Sequence, residues 1–208
     1  MNTRFAPLTF LKSLLGVLAV ALTTALSPVA QAQVAEETER TPHIEFFGEV
    51  YHLAWASDPA PHYSKTEYLP EDEELPYYFN MLLVERVDGV SATEAVRAQV
   101  EFLQGINESE EGADGAKILN LMENPNTGEV LLVFVLSAPD EEREVIWEWN
   151  AYRYSPVQTV NGEESVRLFG YSRRHYGNDE SVYDFLEEID VDNPNSEAVN
   201  AVLSAQLP

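Results

Sequence analysis

Val130 to Leu136 reads VLLVFVL, apolar at every position. A strand with one wet face alternates apolar and polar residues, so an unbroken apolar strand must be covered on both sides. Turn-forming stretches bracket it, ENPNTGE before and SAPDEER after. Lys117–Met122 precedes the first turn as a strand, and Val145–Ser155 and Val166–Tyr176 follow the second. The result is a C-terminal meander around one central strand.

The N-terminal half adds strands and one well-marked helix. His43–Trp55 is apolar at both parities and reads as one long strand, ended by Ser57–Pro61. Tyr63–Leu69 is a shorter strand. The acid block Glu71–Glu74 lies between Pro70 and Pro76 and reads as a solvated corner. Tyr77–Val87 is then a strand that ends at the turn pair Asp88-Gly89. Ser91-Ala92-Thr93-Glu94 is a capping box, in which serine and glutamate satisfy each other's backbone amides at a helix start. Ala92, Ala95, Val96, Gln99, Val100 and Leu103 share one face of that helix, and Gly105 is placed to cap its end. Asn178 or Asp179 caps a second helix with the stripe Val182, Phe185, Leu186 and Ile189. Ser196–Leu207 is a third, with Val199, Val202 and Leu203 at helical spacing. These elements predict an α+β fold: an antiparallel sheet of about seven strands with helices packed on it.

Met1–Ala32 has the layout of a signal peptide. Arg4 and Lys12 precede the apolar run Ser13–Leu26, and Ala30-Gln31-Ala32 offers small residues for cleavage after Ala32. The expected organisation is a signal peptide (1–32), a polar lead-in (33–42) and one α+β domain (43–208), periplasmic or secreted, with no membrane span after cleavage. The absence of cysteine excludes disulfides and thiolate chemistry. The chain has 36 Asp plus Glu against 12 Lys plus Arg, a net charge of −24. Such a surface repels nucleic acid and anionic lipid, both of which need a basic footprint. A cationic partner, weak divalent-ion binding and solubility in a salty exterior each account for it. Even spacing of the acids and scarcity of lysine favour the last.

Asn161-Gly162 is a strong hairpin signal. With these two as the whole turn, Glu148 faces His175, Asn150 faces Arg173, and Tyr152 faces Tyr171 on one side of the sheet. That register gathers Glu148, Tyr152, Tyr171, Arg173 and His175 into a polar–aromatic binding face, with a carboxylate–imidazole pair at its centre. Ordinary cross-strand pairing explains the same residues and is preferred. Arg173 and Arg174 point to opposite faces, so they cannot clamp one phosphate.

No other local pattern carries chemistry. Gly170-Tyr171-Ser172-Arg173-Arg174 lacks the last glycine of a nucleophile elbow. His43, His52, His62 and His175 show no metal-binding spacing, and His43 and His52 have opposite parity on the one long strand. ENPNTGE and DVDNPNS fail as calcium loops and read as turns. No metal or cofactor is expected. The three tryptophans are expected in the core, and Tyr77 and Tyr78, if exposed together with Tyr152 and Tyr171, would form a binding patch.

The run YHLAWASD…HYSKTEYLPEDEELPYYFNMLLVE, followed by the capped helix and VIWEWNAYRY, resembles a pattern of uncharacterised exported bacterial proteins. The strand–helix order also resembles the Mog1/PsbP-like fold, which implies an antiparallel sheet between helices. The chain departs from the pattern in lacking a glycine near Asp72 and a tryptophan near Phe79. The resemblance implies no activity. The expected function is a non-enzymatic binding module of the cell envelope with a protein partner. The alternatives are a small hydrolase-like enzyme, or a small-ligand carrier, using the face around Glu148 and His175.

Overall fold

The computed structural model describes residues 42–108, 115–140, 142–158 and 162–206. The expected signal segment, nearly all of the lead-in, part of the loop before residue 115, and Asn161 lie outside the described residues. The strands are β1 (His43–Phe46), β2 (Glu49–Ala60), β3 (Tyr63–Leu69), β4 (Asn80–Asp88), β5 (Gly115–Glu123), β6 (Val130–Asp140), β7 (Glu144–Gln158) and β8 (Glu164–Tyr176). The helices are α1 (Ala92–Glu108), α2 (Asp179–Glu188) and α3 (Glu197–Ser204). The class is α+β, with eight strands in the order β1-β2-β3-β4-β8-β7-β6-β5 and every neighbouring pair antiparallel.

The extra strand comes from the segment read as one long strand. His43–Trp55 is a hairpin: Phe46 pairs with Glu49, and His43 with His52. The two-residue turn needs positive φ at both centres, and Phe47 (φ 52°) and Gly48 (φ 85°) supply it. Phenylalanine rarely adopts that conformation, so only Gly48 signals the turn. His43 and His52 are therefore neighbours on one face, with ring centroids 6.4 Å apart. The expected breaker at Ser57–Pro61 does not break β2 either. Irregular pairing between Ser57 and Ala60 absorbs the proline, and the strand runs on to Ala60.

β4 and β5 run parallel with three strands between them, so a crossover must join them. The crossover is α1, which lies across β5, β6, β7 and β8. Its capping box forms as expected. The Ser91 amide donates to Glu94 Oε2 at 2.9 Å, and the Glu94 amide donates to Ser91 Oγ at 3.3 Å. Gly105 is not its cap, because the helix continues to Glu108. Asn107 fastens the last turn to the sheet edge instead. Its side chain donates to the Ala116 carbonyl at 2.8 Å and accepts from the Ala116 amide at 2.9 Å.

The helices divide between the two faces of the sheet. Val182 and Phe185 of α2, Ile189 at its C-terminal cap, and Val199 and Val202 of α3 share a core with Leu131, Val133, Val135, Trp149, Ala151, Phe169 and Tyr171. Leu132 and Phe134 have the other parity and are buried towards α1, with Val96, Gln99 and Leu103. This is the double cover that VLLVFVL demanded. Asn178 caps α2 by accepting from the Glu180 and Ser181 amides, and Ser196 caps α3. The C-terminal end of α3 is held from the sheet: Arg153 donates to the Leu203 and Ala205 carbonyls, each at 2.7 Å. Among the described residues no helix is long and apolar enough to cross a membrane.

Candidate functional site

Tyr77-Tyr78-Phe79 precede β4. In an extended chain, neighbouring side chains point opposite ways, so three rings in a row cannot all be covered from one side. Tyr78 turns inwards and is 2% exposed; Tyr77 is 37% and Phe79 58% exposed. The condition for a patch of Tyr77 and Tyr78 is thus not met: the outward pair is Tyr77 and Phe79.

The inward ring is locked. Tyr78 donates its hydroxyl to Glu148 Oε2 at 2.8 Å. Arg174 Nε donates to the same oxygen, and Arg174 Nη1 donates to the Pro76 carbonyl at 3.1 Å. The guanidinium also lies 3.8 Å from the centroid of the Tyr78 ring. Burial, reinforced by Glu148, holds the Tyr78 phenol well above its usual range. Burial alone would lower the Arg174 guanidinium, but Glu148, Tyr78 and Tyr176 beside it outweigh that and raise it. The Tyr176 hydroxyl donates to the Tyr78 carbonyl at 2.8 Å, and the Arg174 amide to the Phe79 carbonyl at 2.8 Å.

The acid block supplies the other clamp. Glu73 Oε2 accepts from the amides of Phe79 (2.6 Å) and Asn80 (2.9 Å), and Oε1 from Asn80 Nδ2 (3.3 Å). The solvated-corner reading therefore holds for Glu71, Asp72 and Glu74, which are exposed, but not for Glu73. Glu74 is the bridge partner of Tyr77 across the turn that contains Pro76. The rings of Tyr77 and Phe79 stand against Tyr176, at centroid distances of 6.3 Å and 5.5 Å. Arg143, from the β6–β7 turn, places its guanidinium 3.5 Å from the Tyr77 ring centroid and 5.2 Å from that of Tyr176. The arrangement is a rigid rim of three aromatic rings, one internal cation and exposed carboxylates.

The five residues selected from the hairpin do not share a face. Gln158 pairs with Glu164, so the connection is residues 159–163 rather than two residues, and the register moves by one. A slip of one residue turns the return strand over. Glu148 faces Arg174 instead of His175, and Tyr152 faces Gly170 instead of Tyr171. Tyr152 is buried, with its ring edge-on to Phe134 at 5.0 Å. Tyr171 is buried on the opposite face and donates to Asn80 Oδ1 at 3.0 Å. Arg173 pairs with Glu188 of α2 at 2.7 Å. His175 meets Ser181 Oγ at 2.8 Å and stacks on Phe185. The carboxylate–imidazole pair is not formed, because its members lie on different faces. The separation of Arg173 from Arg174 follows the expectation. Trp149 is in the core as expected, whereas Trp55 is 42% exposed on β2.

A second polar cluster lies on the face of Glu148. Lys65 and Glu85 are direct register partners with a 3.8 Å ion pair, and Lys65 also meets Glu67 at 3.0 Å. All three are buried. Burial pushes the Glu85 carboxyl up to about 7, against the pull of Lys65 and Tyr63. A polar cluster at this depth shapes the sheet but offers no approach from outside.

Sequence alone missed Arg143 and Tyr176 as parts of the rim. Arg143 lies in the β6–β7 turn and Tyr176 ends β8, and the neighbours of both depend on the strand order. The signal that was present was the run of three consecutive aromatics.

No curated protein matches the chain. The Mog1/PsbP-like resemblance finds no support in the comparisons. A family of uncharacterised proteins does match, over residues 38–201, which takes in all eight strands, α1, α2 and the first part of α3, and the chain belongs to that family.

Proposed function

We propose that the protein is an exported, non-enzymatic binding module that docks a protein partner of the cell envelope on the rim of Tyr77, Phe79 and Tyr176. The observation that carries this reading is that two exposed aromatic side chains sit on a segment fixed from both sides. Glu73 holds the backbone of that segment, and the Glu148–Arg174–Tyr78 clamp holds its middle ring. The part of each ring left in water gains nothing for folding, and a partner that covers it recovers that apolar area. Because the segment is already ordered, docking costs little conformational entropy.

The test is capture from envelope extract with the tagged protein and with a Tyr77→Ser/Phe79→Ser variant, which leaves the buried clamp in place. A partner held by the first and lost by the second supports the reading. Equal capture by both sinks it. Mass analysis of the protein recovered from the envelope checks the proposed removal of residues 1–32.

A further inference from the structure

Resting on that docking reading, we infer that the rim receives an arginine-bearing segment of the partner, and that Arg143 occupies the place of that arginine in the unbound protein. Guanidinium groups are planar and stack on aromatic faces, where a compact ammonium does so less well. The rim already contains such a stack, with the Arg143 guanidinium 3.5 Å from the centroid of Tyr77 and 5.2 Å from that of Tyr176.

Arg143 is poorly satisfied there. Its Nη1 is buried with no hydrogen-bond partner, and among the described residues it has no ion pair. Its position comes from the turn: Asp140 Oδ1 accepts the Arg143 amide at 2.9 Å, and Asp140 pairs with Glu144, so the connection is residues 141–143. A short turn can release one side chain without disturbing the strands. A donor buried without a partner is unfavourable and gains by moving out to water. An arginine arriving from outside would find the same ring faces. It would also meet the exposed carboxylates of Glu71, Asp72 and Glu74 on the same segment, Glu74 being bridged to Tyr77. The net charge of −24 favours a cationic visitor over any other and speeds its approach.

The experiment measures binding of a short oligoarginine peptide and its oligolysine counterpart to the full chain by calorimetry, at low and high salt. The native protein should prefer oligoarginine, and the preference should survive high salt better than the total affinity does. Arg143→Gln should bind oligoarginine roughly three- to five-fold tighter, the size of one exposed cation–π competitor. Arg143→Lys, which keeps the charge, should fall between the two and serves if the glutamine variant does not fold. Tyr77→Ser/Phe79→Ser should lose the arginine preference. Weaker binding by Arg143→Gln would overturn the inference by making Arg143 part of the receiving surface. Equal affinity for both peptides in every variant would overturn it by reducing recognition to the acid field. If neither peptide binds while envelope capture still depends on Tyr77 and Phe79, the docking reading stands and this inference alone fails.

Discussion

Glu148 and Arg174 are register partners on the neighbouring strands β7 and β8, and Tyr78 closes over their ion pair from the segment before β4. The pair thus ties the last strand to a segment about a hundred residues earlier in the chain, and its loss acts on both. Breaking a buried pair from one side strands a charge and typically costs about 3–5 kcal/mol. Arg174→Met should destabilise by that order. The double variant with Glu148→Gln should be less destabilised than the sum of the two single changes. Urea unfolding of the four proteins measures this, and simple additivity would show that the two side chains act independently.

Glu85 gives the fold a pH dependence of definite sign. Its carboxyl titrates near 4.5 when exposed and near 7 in the fold. Between those values the unfolded chain has lost the proton and the folded one keeps it. Its contribution is therefore fully present below about pH 4.5 and is lost as the pH rises through 7. The loss is on the order of 3 kcal/mol. Protonation of the surface acids also relieves self-repulsion, so the informative quantity is the difference from Glu85→Gln. Stability measured at pH 5 and pH 7.5 should fall more steeply for the native protein. Parallel slopes for the two would remove Glu85 as the cause.

Arg153 should not tolerate lysine. Its two terminal nitrogens reach the Leu203 and Ala205 carbonyls together, a planar fork that an ammonium cannot copy. Arg153→Lys should cost about 1.5–3 kcal/mol, the worth of hydrogen bonds to a charged group. The loss should appear first as faster amide exchange over residues 197–204. Unchanged protection there would mean that α3 is held by Val199 and Val202 alone.

Asn107 has a protective role at the outer edge of β5. It occupies both backbone groups of Ala116, which would otherwise be open to another strand. Asn107→Ala should change monomer stability by only about 1 kcal/mol and yet promote self-association. Light scattering against concentration tests this. A variant that stays as monodisperse as the native protein would refute the edge-blocking role.

The features legible in the sequence are those decided by neighbouring residues. Ser91 with Glu94, Asn178, and Ser196 announce helix starts because a cap and its amide lie within three residues of each other. VLLVFVL announced a doubly covered strand for the same local reason. The β7–β8 register was not legible: Asn161-Gly162 located the turn, but the length of the connection decides which parity faces which, and that length depends on how both strands pack. The β1–β2 hairpin escaped because its first turn residue is Phe47, held at positive φ by the pairing on either side. The clamp could not be seen at all, since Tyr78, Glu148 and Arg174 meet only after β8 docks on β4.

That docking line is also a seam. Residues 43–88 form four strands in succession, residues 115–176 form four more, and the two sets share one ladder, from Asn80 opposite Arg173 to Asp88 opposite Ser165. The covalent bridge between the sets is residues 89–114, which contain α1. Cut in that bridge, the chain becomes two fragments with matching raw edges, each incomplete without the other. Such a pair is suited to reassembly in trans, and the clamp that orders the rim would then close only when both fragments are present.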